Sequence, residues 1–187
     1  MSDVRKILVT GASGYVGGRL VTSLLEDNAQ VRVFVRDVNK AQSHSWASKV
    51  EIAVGNASDY QSTVKALTGI HTAFYLLHSI NSGTNFDKIE SEMARSFAKA
   101  AQEANVKQII YLGGINNDAK TSKHLKSRAN TGKELATTDV AVLELRAGII
   151  IGSGSASFEM LRHLTHRLPI MTTPKWVMNR THPIAIR

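Results

Sequence analysis

Three glycines at the end of a short apolar run constrain the fold more than any other feature of the sequence. The run Ile-Leu-Val-Thr begins at residue 7, and the glycines follow at positions 11, 14 and 17. In a strand–turn–helix unit, Gly11 permits the tight turn, Gly14 leaves the backbone open to a pyrophosphate, and Gly17 lets helix and strand approach closely. The first N–H groups of such a helix lack intrahelical acceptors and lie at its positive end, so they suit an anion. The turn therefore predicts a dinucleotide site, to which we assign Gly11, Ser13, Gly14, Tyr15, Val16 and Gly17.

The residues around the turn decide between this interpretation and an ordinary surface loop, which three glycines can equally form. The segment after the turn places apolar side chains on one face of a helix, namely Val16, Leu20, Val21, Leu24 and Leu25. A second apolar run, Val31–Val35, then arrives where the next strand is due. A strand before the turn and a helix after it favour the dinucleotide site.

Apolar runs without polar alternation recur along the chain, as is typical of strands buried on both faces of a parallel sheet. We predict six strands, at Ile7–Thr10, Val31–Val35, Val50–Val54, Thr72–Leu76, Gln108–Leu112 and Val140–Leu145. Right-handed crossovers between six βα units give a doubly wound, Rossmann-like α/β parallel sheet in the order 3-2-1-4-5-6. The 187 residues are predicted to form a single NAD(P)-binding domain, residues 1–187, with its ligand crevice at the carboxyl ends of the strands.

Two helical signals support this alternation. The clearest helical signal predicts one apolar stripe turned toward the core, formed by Phe86, Ile89, Met93, Phe97, Ala100 and Ala104. Gly69 follows a helix that ends near Leu67, at the place where a left-handed C-terminal residue is expected.

Composition excludes several classes of function. The chain has no cysteine, which removes disulfide and thiolate chemistry and is compatible with the reducing cytoplasm, where we place the protein. No apolar run has the length of a signal peptide core or a bilayer span, so we expect no membrane partner. The net charge of +8 is spread along the chain, with few aromatic residues and no nucleic-acid-binding signature. We attribute this charge to an anionic cofactor or substrate and expect no nucleic-acid partner.

The residues after the second and third strands indicate which dinucleotide is bound. Arg36 and Lys40 suit the 2′-phosphate of NADP through charge-assisted hydrogen bonds, whereas Asp37 leaves NAD possible. The alternative is that the two cations only solvate a helix start. After the third strand, Asn56 and Ala57 are placed to border the adenine, although a turn-forming Asn is the plain alternative.

Four motifs occur together in one known family. They are Thr-Gly-Ala-Ser-Gly-Tyr-Val-Gly-Gly-Arg-Leu from residue 10, Tyr-Leu-Leu-His-Ser from residue 75, Ile-Tyr-Leu-Gly-Gly from residue 110 and Leu-Arg-Ala-Gly-Ile-Ile-Ile-Gly-Ser-Gly from residue 145. With them the chain resembles the atypical short-chain dehydrogenase/reductases, and most of all the NmrA-like, NAD(P)-binding proteins often labelled nucleoside-diphosphate-sugar epimerases. The resemblance covers nearly the whole chain. It implies that Leu77, His78, Gly113 and Gly114 line the nicotinamide side.

The catalytic pattern of that family is altered in this sequence. Its working enzymes use a Tyr, a Lys four residues later and a Ser or Thr near the end of the fifth strand. Alignment on Leu135 puts His124 and Arg128 at the Tyr and Lys positions, and Gly113 or Gly114 at the Ser position. His124 and Arg128 are four residues apart on one helix face, and an imidazole can transfer protons near neutral pH. The alternative is a solvated basic helix that also carries Lys120, Lys123, Lys126 and Lys133.

The last part of the chain carries weaker signals. His163 and His166 share a helix, but no further ligand accompanies them, so we predict no metal site. Residues 153–157 form a loop that either covers a substrate pocket or only links two elements. Because relatives continue beyond the equivalent of Arg187, residues 147–187 are expected to form an incomplete substrate-side region.

Two classes of function follow. The first is an NAD(P)H-dependent oxidoreductase or epimerase-like enzyme acting on a small carbonyl compound, a quinone or a sugar derivative. The second is a non-catalytic dinucleotide sensor or assembly factor. The missing Tyr and Ser favour the sensor, whereas His124 and the preserved nicotinamide-side residues favour the enzyme.

Overall fold

In the computed structural model, the described residues are 5–78, 86–115, 122–168 and 182–186, without the side chains of residues 86, 156, 157 and 161. Lys120, which belongs to the basic-helix interpretation, and Arg187 lie outside them. The chain divides into two compact units, Met1–Leu145 and Arg146–Arg187, which are described separately.

A six-stranded sheet organises the first unit. Its strands are β1 (Ile7–Thr10), β2 (Val31–Val35), β3 (Glu51–Val54), β4 (Thr72–Tyr75), β5 (Gln108–Gly114) and β6 (Ala141–Ala147). They lie in the order β3-β2-β1-β4-β5-β6, which confirms the predicted doubly wound topology. The four pairs from β3 to β5 are parallel, with Val9 beside Val33 and Tyr75 beside Tyr111. The predicted strand bounds hold to within two residues at each end, and β5 continues through Gly113 and Gly114.

Helices join the strands, and three of those described begin with a polar side chain that caps the helix. They are α1 (Tyr15–Glu26), α2 (Val38–Gln42), α3 (Tyr60–Leu67), α4 (Phe86–Glu103) and α5 (Lys123–Leu135). The side chains of Asp37, Asp59 and Ser122 accept backbone N–H groups at the starts of α2, α3 and α5. Gly69 has φ of 75° just after α3, which confirms the predicted left-handed position.

The core has one layer on each side of the sheet. Leu8 belongs to the layer that contains Phe97 of α4, whereas its neighbour Val9 packs with Val21 of α1. Successive residues of a strand point to opposite faces. Because both faces of β1 are covered, both positions are apolar there. The outer strands differ, since Val54 of β3 and Leu143 and Leu145 of β6 are exposed.

One part of the predicted α4 stripe is wrong. Phe97 and Ala100 are fully buried as expected, but Ile89 is 41% exposed and the adjacent Glu90 is only 7% exposed. The reason is a polar contact with α5, because the Ser127 hydroxyl donates a hydrogen bond of 2.6 Å to Glu90 Oε2. At this end of α4 the inward position is therefore held by a hydrogen-bonded carboxylate.

The second unit contains α6 (Ala156–Arg167) and a parallel pair of short strands, β7 (Ile150–Ile151) and β8 (Ile184–Ala185). Its described apolar residues include several that are exposed, among them Met160 and Leu164 on α6. Among all the helices described, none combines the length and the apolar character needed to cross a bilayer.

Candidate dinucleotide site and its catalytic side

The glycine turn connects β1 to α1 as a tight backbone loop. Gly11 leaves the strand with φ of 65°, and the Gly14 N–H donates to the Gly11 carbonyl at 2.9 Å. Gly14 then serves as the N-cap of α1 without a capping side chain. The N–H groups of the first helical turn have no intrahelical acceptor, so they remain donors for an anion at this end of the helix.

The three glycines answer to different constraints. A Cβ at Gly11 would lie 2.7 Å from the Leu76 carbonyl oxygen, and one at Gly17 would collide with the carbonyl of Gly11. Both therefore follow from backbone packing alone. Gly14 is exposed, and a Cβ there would lie 3.2 Å from the Gly11 oxygen, which a small shift relieves. Of the three glycines, Gly14 is therefore the one at which the fold leaves most room for a side chain.

Thr10 joins the ends of β1 and β4 beneath this turn, a role that the sequence analysis missed. Its buried hydroxyl donates to the Phe74 carbonyl and accepts the Leu76 N–H, each at 2.9 Å. A threonine at the end of an otherwise apolar strand is the signal that indicates such a bridge. It fixes the relative position of the glycine turn and the segment Leu77–His78.

The charged residues that follow β2 have different surroundings. The Asp37 carboxylate accepts the N–H groups of Asn39 and Lys40, at 2.9 and 3.2 Å, and so caps α2. Arg36 and Lys40 are exposed, and neither forms an ion pair with any other described residue. The two cations are thus available to an external anion, whereas one oxygen of the carboxylate, Oδ1, is engaged by the helix.

Asn56 follows β3 and stabilises a turn, as the alternative to an adenine contact predicted. Its Oδ1 accepts the Ser58 N–H at 3.1 Å, and its backbone carbonyl accepts the Ser62 hydroxyl at 2.9 Å. Ala57 beside it is buried. A contact between Asn56 and the adenine edge therefore depends on its amide nitrogen.

The glycines that end β5 face side chains of neighbouring elements. A Cβ at Gly113 would lie 2.5 Å from Glu144 Oε1, and one at Gly114 would lie 2.6 Å from Leu125 Cδ2. A Ser at either position, as in the family's enzymes, requires Glu144 or Leu125 to move first. No sequence pattern marks these two contacts.

Arg128 binds α5 to the carboxyl end of β5. Its Nη2 donates to the Leu112 carbonyl at 2.8 Å, and its own backbone carbonyl accepts the Tyr111 hydroxyl at 3.0 Å. Its Nε is buried and has no hydrogen-bond partner. His124 lies one turn earlier on α5 and is exposed. The predicted pair therefore shares a helix, but only Arg128 has a described contact with β5.

Desolvation and the positive charge of Arg128 lower the pKa of His78. His78 is exposed to solvent on one side, while the protein packed around its other side and the nearby guanidinium lower its pKa to about 4, against a smaller opposing effect of Glu90. The imidazole is therefore neutral at pH 7. Burial also raises the pKa of Tyr75 and of Tyr111, so neither phenol is ionised. Tyr111 does not replace the missing catalytic Tyr, because its hydroxyl is buried against the backbone of α5.

The metal question concerns α6, which carries His163 and His166. Within the described ranges, no group of three or more His, Cys, Asp or Glu side chains is arranged to hold a metal ion.

Comparisons with known proteins bear on this site. Residues 11–145 match the model of the NAD(P)H-binding family. The 3-beta-hydroxysteroid dehydrogenase of Mycolicibacterium neoaurum is 32% identical over 120 residues, which are 59% of this chain and 32% of that protein. The ceramide reductase of Caulobacter vibrioides is 24% identical over 190 residues, covering 99% of this chain and 58% of the relative.

A solved structure agrees with these relatives. Triphenylmethane reductase from Citrobacter sp., crystallised with NADP(H), has a TM-score of 0.71 and 25% identity, covering 86% of this chain and 55% of that one. The chain thus spans less than two thirds of the length of each of these proteins. The glycine turn, the strand order and the matched residues 11–145 agree: the fold is Rossmann-like, and the chain belongs to the NAD(P)H-binding family.

Proposed function

We propose that the protein is an NAD(P)H-dependent oxidoreductase or epimerase-like enzyme acting on a small carbonyl compound, a quinone or a sugar derivative. One observation carries the proposal: the glycine turn after β1 and the Arg128 guanidinium beside β5 both lie at the carboxyl ends of the strands of one parallel sheet. Doubly wound folds bind their ligands at these strand ends. A fixed cation there can stabilise negative charge that develops on a substrate oxygen.

Within this substrate class we favour an apolar carbonyl compound over a sugar derivative. The relatives are named for a hydroxysteroid, a ceramide and triphenylmethane, which are all dominated by hydrocarbon. The buried Tyr75 and Tyr111 near the candidate site add no ionised group to it.

The cofactor set supports NADP in preference to NAD. The first-turn N–H groups of α1 would hold the pyrophosphate, and Asn56 and Ala57 would border the adenine. Arg36 and Lys40 would hold the 2′-phosphate, since both are exposed and form no ion pair with a described residue. Leu77, His78 and Gly113 would face the nicotinamide, which supplies a hydride when it is bound. The lack of cysteine is compatible with a cytoplasmic setting.

A dinucleotide sensor or assembly factor is the second candidate function. It is favoured by the departure at the catalytic positions, where glycines replace the Ser and their neighbours occupy the space of a side chain. On this hypothesis the protein binds dinucleotide without turnover.

A two-stage experiment separates these candidates. The first stage measures the binding of NADPH, NADP, NADH and NAD by calorimetry. The second stage follows NADPH oxidation with 4-nitrobenzaldehyde, an aliphatic ketone and 9,10-phenanthrenequinone. Substrate-dependent NADPH loss supports the enzyme, whereas tight NADPH binding without turnover across the panel supports the sensor.

His124 is tested in the same assay. His124→Phe keeps an aromatic ring but removes both nitrogens, so a catalytic His124 predicts a kcat lowered about 10²- to 10⁴-fold with little change in NADPH affinity. An unchanged kcat would make His124 a surface residue of α5.

A further inference from the structure

Resting on the proposed function, we propose that Arg128 and His78 together form the binding site for the substrate oxygen, taking the place of the family's Tyr and Ser. The ligand of this site is a carbonyl oxygen that becomes an alkoxide, or a carboxylate of the same size. His78 thereby replaces His124 as the partner of Arg128.

Strand geometry places the two residues at the ends of neighbouring strands. Tyr75 of β4 lies beside Tyr111 of β5, and three residues farther along each chain are His78 and Gly114. A Cβ built on Gly114 would lie 3.6 Å from Arg128 Cδ and 3.8 Å from its Nε. The guanidinium therefore packs over the end of β5 that neighbours the segment carrying His78.

Arg128 is anchored but not satisfied. Its Nη2 is held by the Leu112 carbonyl, whereas its buried Nε has no hydrogen-bond partner. Arg128 also forms no ion pair with any residue of the described chain. A buried donor of a charged group that lacks an acceptor is costly, and a ligand oxygen supplies the acceptor.

The carboxylate that acts on His78 is engaged by a hydrogen bond from α5. Glu90 is buried on α4, where it accepts the Ser127 hydroxyl at 2.6 Å, and Ser127 directly precedes Arg128 on α5. Glu90 acts on His78 only as the minor, opposing electrostatic influence. The charge of Arg128 consequently dominates at His78.

The charge state of His78 defines its chemical role. The groups that act on it are Arg128 from α5 and Glu90 from α4, and burial together with Arg128 keeps its pKa well below 7. A neutral imidazole donates one hydrogen bond without adding a second positive charge beside Arg128. His78 therefore acts as a neutral hydrogen-bond donor to the oxygen and not as its proton source.

The chemical step balances with these roles. A bound reduced nicotinamide would supply the hydride to the carbonyl carbon and become oxidised. The π electrons of the C=O bond would then move to the oxygen, and the alkoxide would take a proton from water. Arg128 and His78 stabilise the charge on the oxygen before that proton arrives.

Kinetic variants test the pair against a control histidine that precedes β4. His78→Phe removes the hydrogen-bond donor, whereas His78→Gln retains one. Arg128→Met removes the positive charge and its donors, whereas Arg128→Lys retains a positive charge. His71→Phe is the matched control, because His71 lies at the amino end of β4, away from the carboxyl ends of the strands. Arg128→Met and His78→Phe are expected to lower kcat about 10²- to 10³-fold, His78→Gln and Arg128→Lys less, and His71→Phe not at all.

A second measurement does not depend on turnover. Benzoate, a carboxylate probe, is titrated into the NADP complex while the His78 ring is followed by NMR. We expect binding at least tenfold weaker in Arg128→Met and His78→Phe, a pKa of His78 that rises in Arg128→Met, and neither change in His71→Phe. Thermal melts identify any variant that fails to fold, in which case Arg128→Lys and His78→Gln carry the test.

The outcomes separate this inference from the proposed function. Normal turnover in Arg128→Met and His78→Phe overturns the oxygen site and leaves the reductase standing. If the parent protein turns over no substrate, the reductase fails, and the benzoate and NMR measurements still decide whether the oxygen site exists. Benzoate binding that is absent from the parent, or unchanged in both variants, overturns the site.

Discussion

The cofactor half of the crevice, around the glycine turn and Arg36, differs in kind from the catalytic half around His78, Gly113 and Arg128. The first is built within short stretches of chain, where a strand, a turn and a helix start follow one another. The second is assembled by contacts between β4, β5, α4 and α5, including the bond from Arg128 to Leu112. Apart from the contacts of Thr10 and Gly11 with Phe74 and Leu76, local backbone demands fix the cofactor half. Packing between distant segments sets the chemistry of the other half.

The largest expected effect tests whether the turn exists for a ligand. Gly14→Val places a branched side chain on the exposed N-cap, so we expect at least a 100-fold loss of NADPH affinity with the fold retained. Gly14→Ala, which adds only a Cβ, should give an intermediate loss. Calorimetry gives the affinities and circular dichroism the fold. Parental affinity in Gly14→Val would refute the pyrophosphate assignment.

Gly17 tests the same turn as a structural element. Gly17→Ala drives a Cβ into the Gly11 carbonyl, and we expect a loss of about 3 kcal/mol in the free energy of unfolding, measured with urea. Gly18→Ala is the control, because its Cβ would lie at an ordinary 3.4 Å from the Ala12 oxygen. In a helix interior that change should stabilise by about 0.5–1 kcal/mol. Equal effects at the two neighbours would contradict the packing argument.

A substitution at Arg36 tests whether this residue distinguishes NADP from NAD. Arg36→Ala is expected to weaken NADP binding by about 1–3 kcal/mol with little effect on NAD, since a charge-assisted hydrogen bond to the 2′-phosphate is lost. Lys99→Ala, which removes an exposed cation of α4, controls for the change in total charge. Matching losses for NADP and NAD would show that Arg36 does not distinguish the two cofactors.

The smallest expected effect is a pH dependence of stability in the catalytic half. The pKa of His78 is lowered to about 4 from an ordinary value of 6.5, so the unfolded chain binds a proton that the folded protein rejects. Stability should therefore decline as the pH falls from about 6.5 toward 4. Urea midpoints in His78→Gln should show a shallower decline through that window. Identical pH profiles would mean that the folded protein does not disfavour the imidazolium.

The same contrast explains what the sequence predicted. Apolar runs and glycine spacing are local signals, so β1, the turn, α1 and Gly69 were all predicted correctly. The inward position of Glu90 in place of Ile89 was not, because it depends on Ser127 thirty-seven residues away. The neighbours of Gly113 and the bridge made by Thr10 likewise lie in other segments. Alignment found Arg128, but only the fold brings it near His78.

The carboxylate of Glu144 lies between two glycines on separate elements, because a Cβ on Gly113 would lie 2.5 Å from it and one on Gly132 3.4 Å. This arrangement imposes an order on evolutionary change. A serine introduced at position 113 meets Glu144 Oε1 unless that flexible side chain has already turned away or been shortened. The two positions should therefore show epistasis, and a lineage moving toward the family's usual catalytic serine would alter residue 144 first.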